Sequence, residues 1–240
     1  ITTAGLIQTG IIGVIILGFV QYGVIQGLVK IGAYFDYAFV NGFGLPIWSG
    51  FLFFVAILVA GILAGLYFSS KNNHPLLNTA ILCFAFILVG YASYGQVVIR
   101  SLANPPLDEN NPDNAFSLLS YLNREQYGDR PLLYGQYYNA KMIDQEEGAP
   151  TYAELNGKYV ETGKKIEPVY DPAASTVFPR MYSNQDSHVQ FYKEWENIKS
   201  DRTPTMKENL NFFFTYQLGH MFGRYFMWNF AGRQNDLQGH

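Results

Sequence analysis

The sequence predicts a membrane α-helical segment of about three transmembrane helices, followed by a mixed α+β extracytoplasmic segment. Three observations carry this. Charge is segregated: between Ile1 and Arg100 the charged residues are Lys30, Asp36, Lys71 and Arg100, and nearly all the rest follow Ser101. Three runs of roughly 20 apolar residues, each long enough for a bilayer core, fill that leading part. The tyrosine-rich remainder then mixes hairpin and helix-cap signals. The organisation that follows is 1–100 as membrane helices and 101–240 as the outer segment.

The first span covers 4–29 without a charge. Its glycines, with Gly23-x-x-x-Gly27 at close-packing spacing, suit contact with another helix in lipid, whereas a helix in water needs a polar face. Residues 30–46 interleave Tyr34, Phe35, Tyr37, Phe39 and Phe43 with glycine, the composition of an interfacial connector. The second span, 47–68, follows Pro46 and has Trp48 and Tyr67 near its ends, as an aromatic belt requires; Gly61-x-x-x-Gly65 repeats the small-residue spacing. A short polar turn, 69–75, leads into the third span, 76–99, so these two form an antiparallel helical hairpin. Lys71 in that turn places it in the cytoplasm by the positive-inside rule, and the residues beyond Arg100 in the periplasm. The apolar run at Ile1 lacks the basic leader and cleavage site of a signal peptide, and reads as the interior of a longer polypeptide.

The prolines of Asn104-Pro105-Pro106 end the third helix. Asn111 is the expected N-cap of a following helix, with Pro112 in its first position, Asp113 favouring its dipole, Ala115, Leu118, Leu119 and Leu122 on one face, and a stop at Gly128. Leu132 to Tyr138 reads as a strand. Thr151 to Leu155 and Lys158 to Thr162 flank Asn156-Gly157, the preferred type I′ pair. Glu167 to Tyr170 and Thr176 to Met181 are further extended segments. Helices are expected after Ser187, placing Phe191 and Trp195 together, and after Thr203-Pro204. The last one is aromatic on several sides and should lie on the membrane surface or against the bundle.

Several function classes are excluded or unsupported. A net charge of −3 does not fit a nucleic-acid binder, which needs a dense basic surface. One cysteine, Cys83, allows no intrachain disulfide and no cysteine zinc site. Phosphate loops, dinucleotide fingerprints, nucleophile elbows and paired-histidine zinc motifs do not occur, and His74, His188, His220 and His240 are too scattered to suggest a metal. His220, in an aromatic helix, reads as a packing residue.

The candidate chemistry sits just past the third span. Asp108 and Glu109 are the catalytic candidates, as a general base toward an acceptor hydroxyl or as holders of a divalent cation on a sugar-phosphate leaving group. The alternative is a capped loop whose acids satisfy backbone amides. Arg100, Arg124, Arg233 and Asp236 are the substrate-binding candidates: guanidinium groups bind phosphate oxygens in bidentate fashion, and Arg233 and Asp236 stand where an aromatic helix turns polar, although a plain helix cap accounts for that junction too. Snorkelling to lipid headgroups accounts for Arg100 equally simply, and Arg124, Arg130, Arg180, Arg224 and Arg233 favour that plainer reading.

Several stretches resemble a known family: Val24-Ile25-Gln26-Gly27, Asn41-Gly42-Phe43-Gly44-Leu45-Pro46, Ala103 to Pro112, Leu119 to Gly128, Phe178 to Ser183, and Asn229 to Asp236. They look like a multi-pass membrane family common in Bacteroidota and long catalogued as a domain of unknown function (DUF2723-type). That family is similar to protein O-mannosyltransferases of the glycosyltransferase C superfamily. The resemblance implies transfer of sugar from a polyprenyl-phosphate donor to protein hydroxyls outside the cytoplasmic membrane, in a chain corresponding to an internal or C-terminal-half fragment. The superfamily's usual catalytic acid, in the first outer loop, would lie outside this stretch and leave the fragment inactive alone. Partners would be the bilayer, the lipid-linked sugar and an acceptor protein, with no nucleic acid. The second reading is a non-catalytic membrane subunit that packs in, or docks partners to, a larger membrane complex; glycine-rich spans and abundant aromatics suit it as well.

Overall fold

The computed structural model describes residues 2–128 and 130–231. Three helices in it are long and apolar enough to cross a membrane: α1 (Thr3–Gly42), α2 (Ser49–Lys71) and α3 (Pro75–Ser101), the last broken at Ala92 and Ser93. A mixed region follows, with helix α4 (Ala115–Asn123), strands β1 (Tyr134–Gln136), β2 (Met142–Leu155), β3 (Lys158–Tyr170) and β4 (Ser175–Val177), helix α5 (Asp186–Glu196) and helix α6 (206–231). The chain divides into two compact units, Ile1–Gly128 with Pro150–Gly163, and Asp129–Ala149 with Lys164–His240.

In the first unit, α1 is continuous for 40 residues, about 60 Å and twice a hydrocarbon core. The stretch 30–46 was expected to be a connector, yet it is helical as far as Gly42. Glycine serves here as a contact surface: a Cβ on Gly32 would lie 2.7 Å from the Phe51 ring, and one on Gly50 would lie 2.3 Å from the Phe35 carbonyl oxygen. α1 and α2 therefore approach at bare backbone, flanked by Phe35–Phe54 and Phe39–Phe53 ring pairs. Two π-helical stretches, Phe19–Gly27 and Ala38–Gly42, interrupt α1. α2 and α3 form the expected hairpin through 72–74, with Asn73 left-handed at φ 54°.

α4 packs Leu118 and Leu122 against Ile25 of α1, with Trp48, Tyr91, Tyr94 and Val98 around them. Its boundaries differ from expectation. The N-cap is Asn114, whose side chain accepts from the Phe116 and Ser117 amides, because Asn110 and Asn111 take left-handed conformations at φ 63° and 38° and cannot begin a helix. The helix stops at Arg124, left-handed at φ 57°, and a 3₁₀ turn, Glu125–Tyr127, carries the chain to Gly128.

β2 and β3 are joined by Asn156-Gly157 with φ 54° and 74°, the two positive values a type I′ turn demands. The strands run well beyond the expected 151–155 and 158–162.

In the second unit β1 pairs antiparallel with β4, Tyr134 opposite Val177 and Gln136 opposite Ser175; the strand expected over 132–138 keeps only these three residues. Tyr137, Tyr138, Met181, Tyr192, Ile198 and Phe212 form the core. Fully buried Asn209 holds the turn at Phe178: its Oδ1 accepts from the Arg180 and Met181 amides at 2.8 and 3.3 Å, and its Nδ2 donates to the Phe178 carbonyl at 2.9 Å. α6 begins with a capping box, Thr205 with Glu208.

Candidate functional site

The most polar buried point of the first unit is Asp36, the single acid of the leading hundred residues and wholly inaccessible. It projects from α1 onto the start of α2. Its Oδ1 accepts from the Gly50 and Phe51 amides at 2.9 and 3.3 Å, and its Oδ2 from the Trp48 amide at 3.0 Å. Trp48, left-handed at φ 75°, gives α2 no side-chain cap of its own. Asp36 is thus a cap supplied from another helix, its negative charge set against the positive end of the α2 dipole.

A fourth donor arrives from the hairpin tip. The Tyr159 hydroxyl donates to Asp36 Oδ2 at 2.7 Å. Burial and the neighbouring carboxylate push the Tyr159 phenol well above the ordinary tyrosine range, so it stays a neutral donor. Asn41, on the same helix, grips the Tyr159 backbone at both ends: Nδ2 donates to its carbonyl at 2.7 Å and Oδ1 accepts from its amide at 3.0 Å. Tyr152 and Tyr159 then stack into a ring cluster with Tyr37 and Phe116, the Phe116 centroids 4.6 and 5.0 Å from the two tyrosines. The Trp48 indole donates to the Asp113 carbonyl at 2.9 Å and ties in the segment before α4. A carboxylate with four donors and no access is a clamp joining α1, α2 and the hairpin tip.

The sequence candidates fall elsewhere. Ser101 Oγ, at the buried end of α3, lies 2.7 Å from Asp108 Oδ2 and 3.0 Å from Asn111 Oδ1, so Asp108 latches the loop back to the helix end. Exposed Glu109 accepts from Gln126 Nε2 at 2.8 Å and from the Tyr127 hydroxyl at 3.5 Å. The Arg124 guanidinium lies over that same Tyr127 ring, 5.0 Å from its centroid, which brings Glu109 and Arg124 to one surface cluster. Arg100 is exposed and makes no side-chain hydrogen bond to a described residue. Arg233 and Asp236 lie outside the described residues. Arg180 donates to the Leu132 carbonyl at 3.0 Å and stacks on Phe178. His220 stacks on Tyr216 near Trp195. Among the described residues no group of three His, Cys, Asp or Glu side chains converges to hold a metal.

Sequence reasoning passed over Asp36, Asn41 and Tyr159. One signal was present: a lone carboxylate in a hundred nearly uncharged residues must have buried donors or face water.

Comparison with known proteins gives one family match, to the Family of unknown function (DUF8416), over residues 128–214, which runs from the end of the 3₁₀ turn into α6 and includes none of α1, α2 or α3. No curated protein and no solved structure matches the chain. The match corrects the DUF2723-type resemblance and the likeness to protein O-mannosyltransferases drawn from it: the family found is a different one. The stretches that carried the resemblance include Asn104, Asn110, Asn111, Gly128 and Phe178, all at positive φ. Such residues recur wherever chains reverse sharply, so short likenesses among them are weakly diagnostic.

Proposed function

We propose that this chain is a non-catalytic membrane subunit, whose first apolar helix packs with helices of a larger membrane complex while the Asp36 clamp ties the hairpin tip to α1 and α2. The observation that carries this is the state of the leading part of α1. Over Thr3–Gly18 it has no buried residue, and Gly10, Gly13 and Gly18 have no atom within 4 Å of where a Cβ would stand. An apolar helix exposed on every side must be covered by lipid or protein, and glycine favours protein, because it lets a neighbouring backbone approach closely. The turn after Lys71 lies on the cytoplasmic side in this reading, and the mixed region outside. The sugar-transfer reading rested on the corrected resemblance and on Asp108 and Glu109, whose carboxylates hold the loop and meet Gln126 and Tyr127.

The test is photocrosslinking in native membranes from Val14, which is 71% exposed. A discrete protein adduct is expected, and Gly10→Leu with Gly13→Leu should abolish it. Adducts to lipid alone, with a monodisperse monomer in nanodiscs, would end this reading.

A further inference from the structure

The backbone of α1 changes its hydrogen-bonding register partway along. The α register holds as far as Phe19, whose amide donates to the Ile15 carbonyl, and resumes at Leu28, whose amide donates to the Val24 carbonyl. Between them the chain is π-helical for nine residues, Phe19–Gly27, whereas π-helix ordinarily occurs as a single-turn bulge, frequently at functional sites. Glycine makes room for it. A Cβ on Gly27 would stand 3.1 Å from the Tyr22 carbonyl oxygen, five residues back, and one on Gly23 would stand 3.2 Å from the Phe19 ring.

The two ends of this stretch are held differently. On its C-terminal side Ile25 packs on Leu118 and Leu122 of α4, Gly32 lies against Phe51, and Asp36 and Asn41 bind Tyr159. On its N-terminal side Thr3–Gly18 buries no residue. The other π-helical stretch of α1, Ala38–Gly42, has no loose end of this kind, since Asn41 grips the Tyr159 backbone.

We propose that Phe19–Gly27 is a rotary joint, in which turns exchange between i→i+5 and i→i+4 hydrogen bonding and so rotate Thr3–Gly18 about its axis while the rest of α1 stays fixed. Hydrocarbon selects this motion over others. An apolar helix in a bilayer cannot release its amides and carbonyls, so local unwinding is barred, whereas trading one carbonyl partner for the next keeps them bonded within the helix. Gly23 and Gly27 remove the side chains that would favour one register. Each turn exchanged takes up or releases one residue, about 100° of rotation. On a helix roughly 10–12 Å wide that carries a side chain through about 8 Å. The joint thereby sets which face of the leading half of α1 meets a neighbouring helix.

Spin-label distances in the full chain, as a monomer in nanodiscs on a Cys83→Ser background, test this. Val14→Cys, Ile15→Cys and Ile16→Cys are exposed and succeed one another at about 100° around the helix. Each is paired with Leu76→Cys on α3, which is also exposed. Leu52→Cys with Leu76→Cys, both on the α2–α3 hairpin, gives the width of a fixed pair. At least one α1 pair should show two populations up to about 8 Å apart. Gly27→Ala crowds the π register and favours the α register, so it should reduce them to one. Three α1 pairs as narrow as the hairpin pair would overturn the proposal, and so would two populations that Gly27→Ala leaves unchanged. The first criterion is read with Gly27 intact and stands whether or not the variant folds. No partner is present in the measurement, so this inference and the proposed subunit role fail separately.

Discussion

Removing the Tyr159 hydroxyl tests the clamp with the smallest change available. Tyr159→Phe keeps the ring and its stacking on Tyr37 and Phe116, and deletes one 2.7 Å hydrogen bond to a wholly buried carboxylate. Hydrogen bonds to charged groups contribute about 1.5–3 kcal/mol, and Asp36 keeps three amide donors, so a loss of about 2 kcal/mol is expected. Asp36→Ala is harsher. It leaves the Trp48, Gly50 and Phe51 amides and the Tyr159 hydroxyl without their acceptor, and takes the negative charge from the α2 terminus. Even after discounting for relaxation and water entry, about 4 kcal/mol is expected.

The discriminating quantity is the double variant. If the two groups act through each other, Tyr159→Phe should cost much less in the Asp36→Ala background, with a coupling of about 1–2 kcal/mol. Unfolding of detergent-solubilised protein by added sodium dodecyl sulfate, followed by tryptophan fluorescence, reads all four stabilities; Trp48 lies in the node. Limited proteolysis at Asn156-Gly157 gives a second readout, since a released tip is cut faster. Additive losses within about 0.3 kcal/mol, with the tip as protected as in the wild type, would refute the clamp.

Gly50→Ala should abolish folded expression or cost more than about 3 kcal/mol, because its Cβ would stand 2.3 Å from a backbone oxygen. Gly61→Ala, with nothing within 4 Å, should be close to neutral in the same sodium dodecyl sulfate unfolding assay. Glu208, beside Arg202 and capped by Thr205, titrates at about 2 in the folded chain, below its ordinary 4.5. A depressed carboxylate stabilises the fold above its unfolded value, and that contribution disappears as pH falls from about 4.5 towards 2. Tm measured across that window should fall more steeply for the wild type than for Glu208→Gln, and parallel curves would contradict the assignment. Asp108→Ala should lower stability by about 1–2 kcal/mol through loss of its bond to buried Ser101, whereas exposed Glu109→Ala should stay within about 0.5 kcal/mol. Denaturant titration of the two variants distinguishes a latch from a surface acid.

The long apolar helices were legible because uncharged runs of that length have few alternatives, and the hairpin turn because Asn156-Gly157 supplies two positive φ values locally. What escaped depends on residues distant in sequence. The stretch 30–46 reads as an interfacial connector from its glycines and aromatics, but its helix as far as Gly42 is fixed by α2 lying against Gly32 and by Tyr159 binding Asn41 and Asp36, more than a hundred positions on. Three asparagines, Asn110, Asn111 and Asn114, compete to cap α4. Composition does not separate them; backbone conformation does, since two are left-handed and only Asn114 is extended. The lengths of β2 and β3 were hidden for a different reason. Their outer halves carry charged residues on both faces and bury little, so no apolar alternation announces them.

The same reasoning separates Asp36 from the acids that looked catalytic. A carboxylate used as a general base needs a route to its proton and a free lone pair in the resting state. Asp36 has neither: it is wholly buried and receives four hydrogen bonds. Its charge is useful because it is fixed. Ionised, it accepts from three amides at once and from a phenol that burial keeps protonated, an arrangement a neutral Asn could not reproduce, since one of its two positions would turn a donor toward other donors. Asp36→Asn should therefore resemble Asp36→Ala in stability rather than the wild type. An enzyme acid replaced in this way would lose rate and keep its fold. Here the fold should weaken first, and the hairpin tip should detach with it.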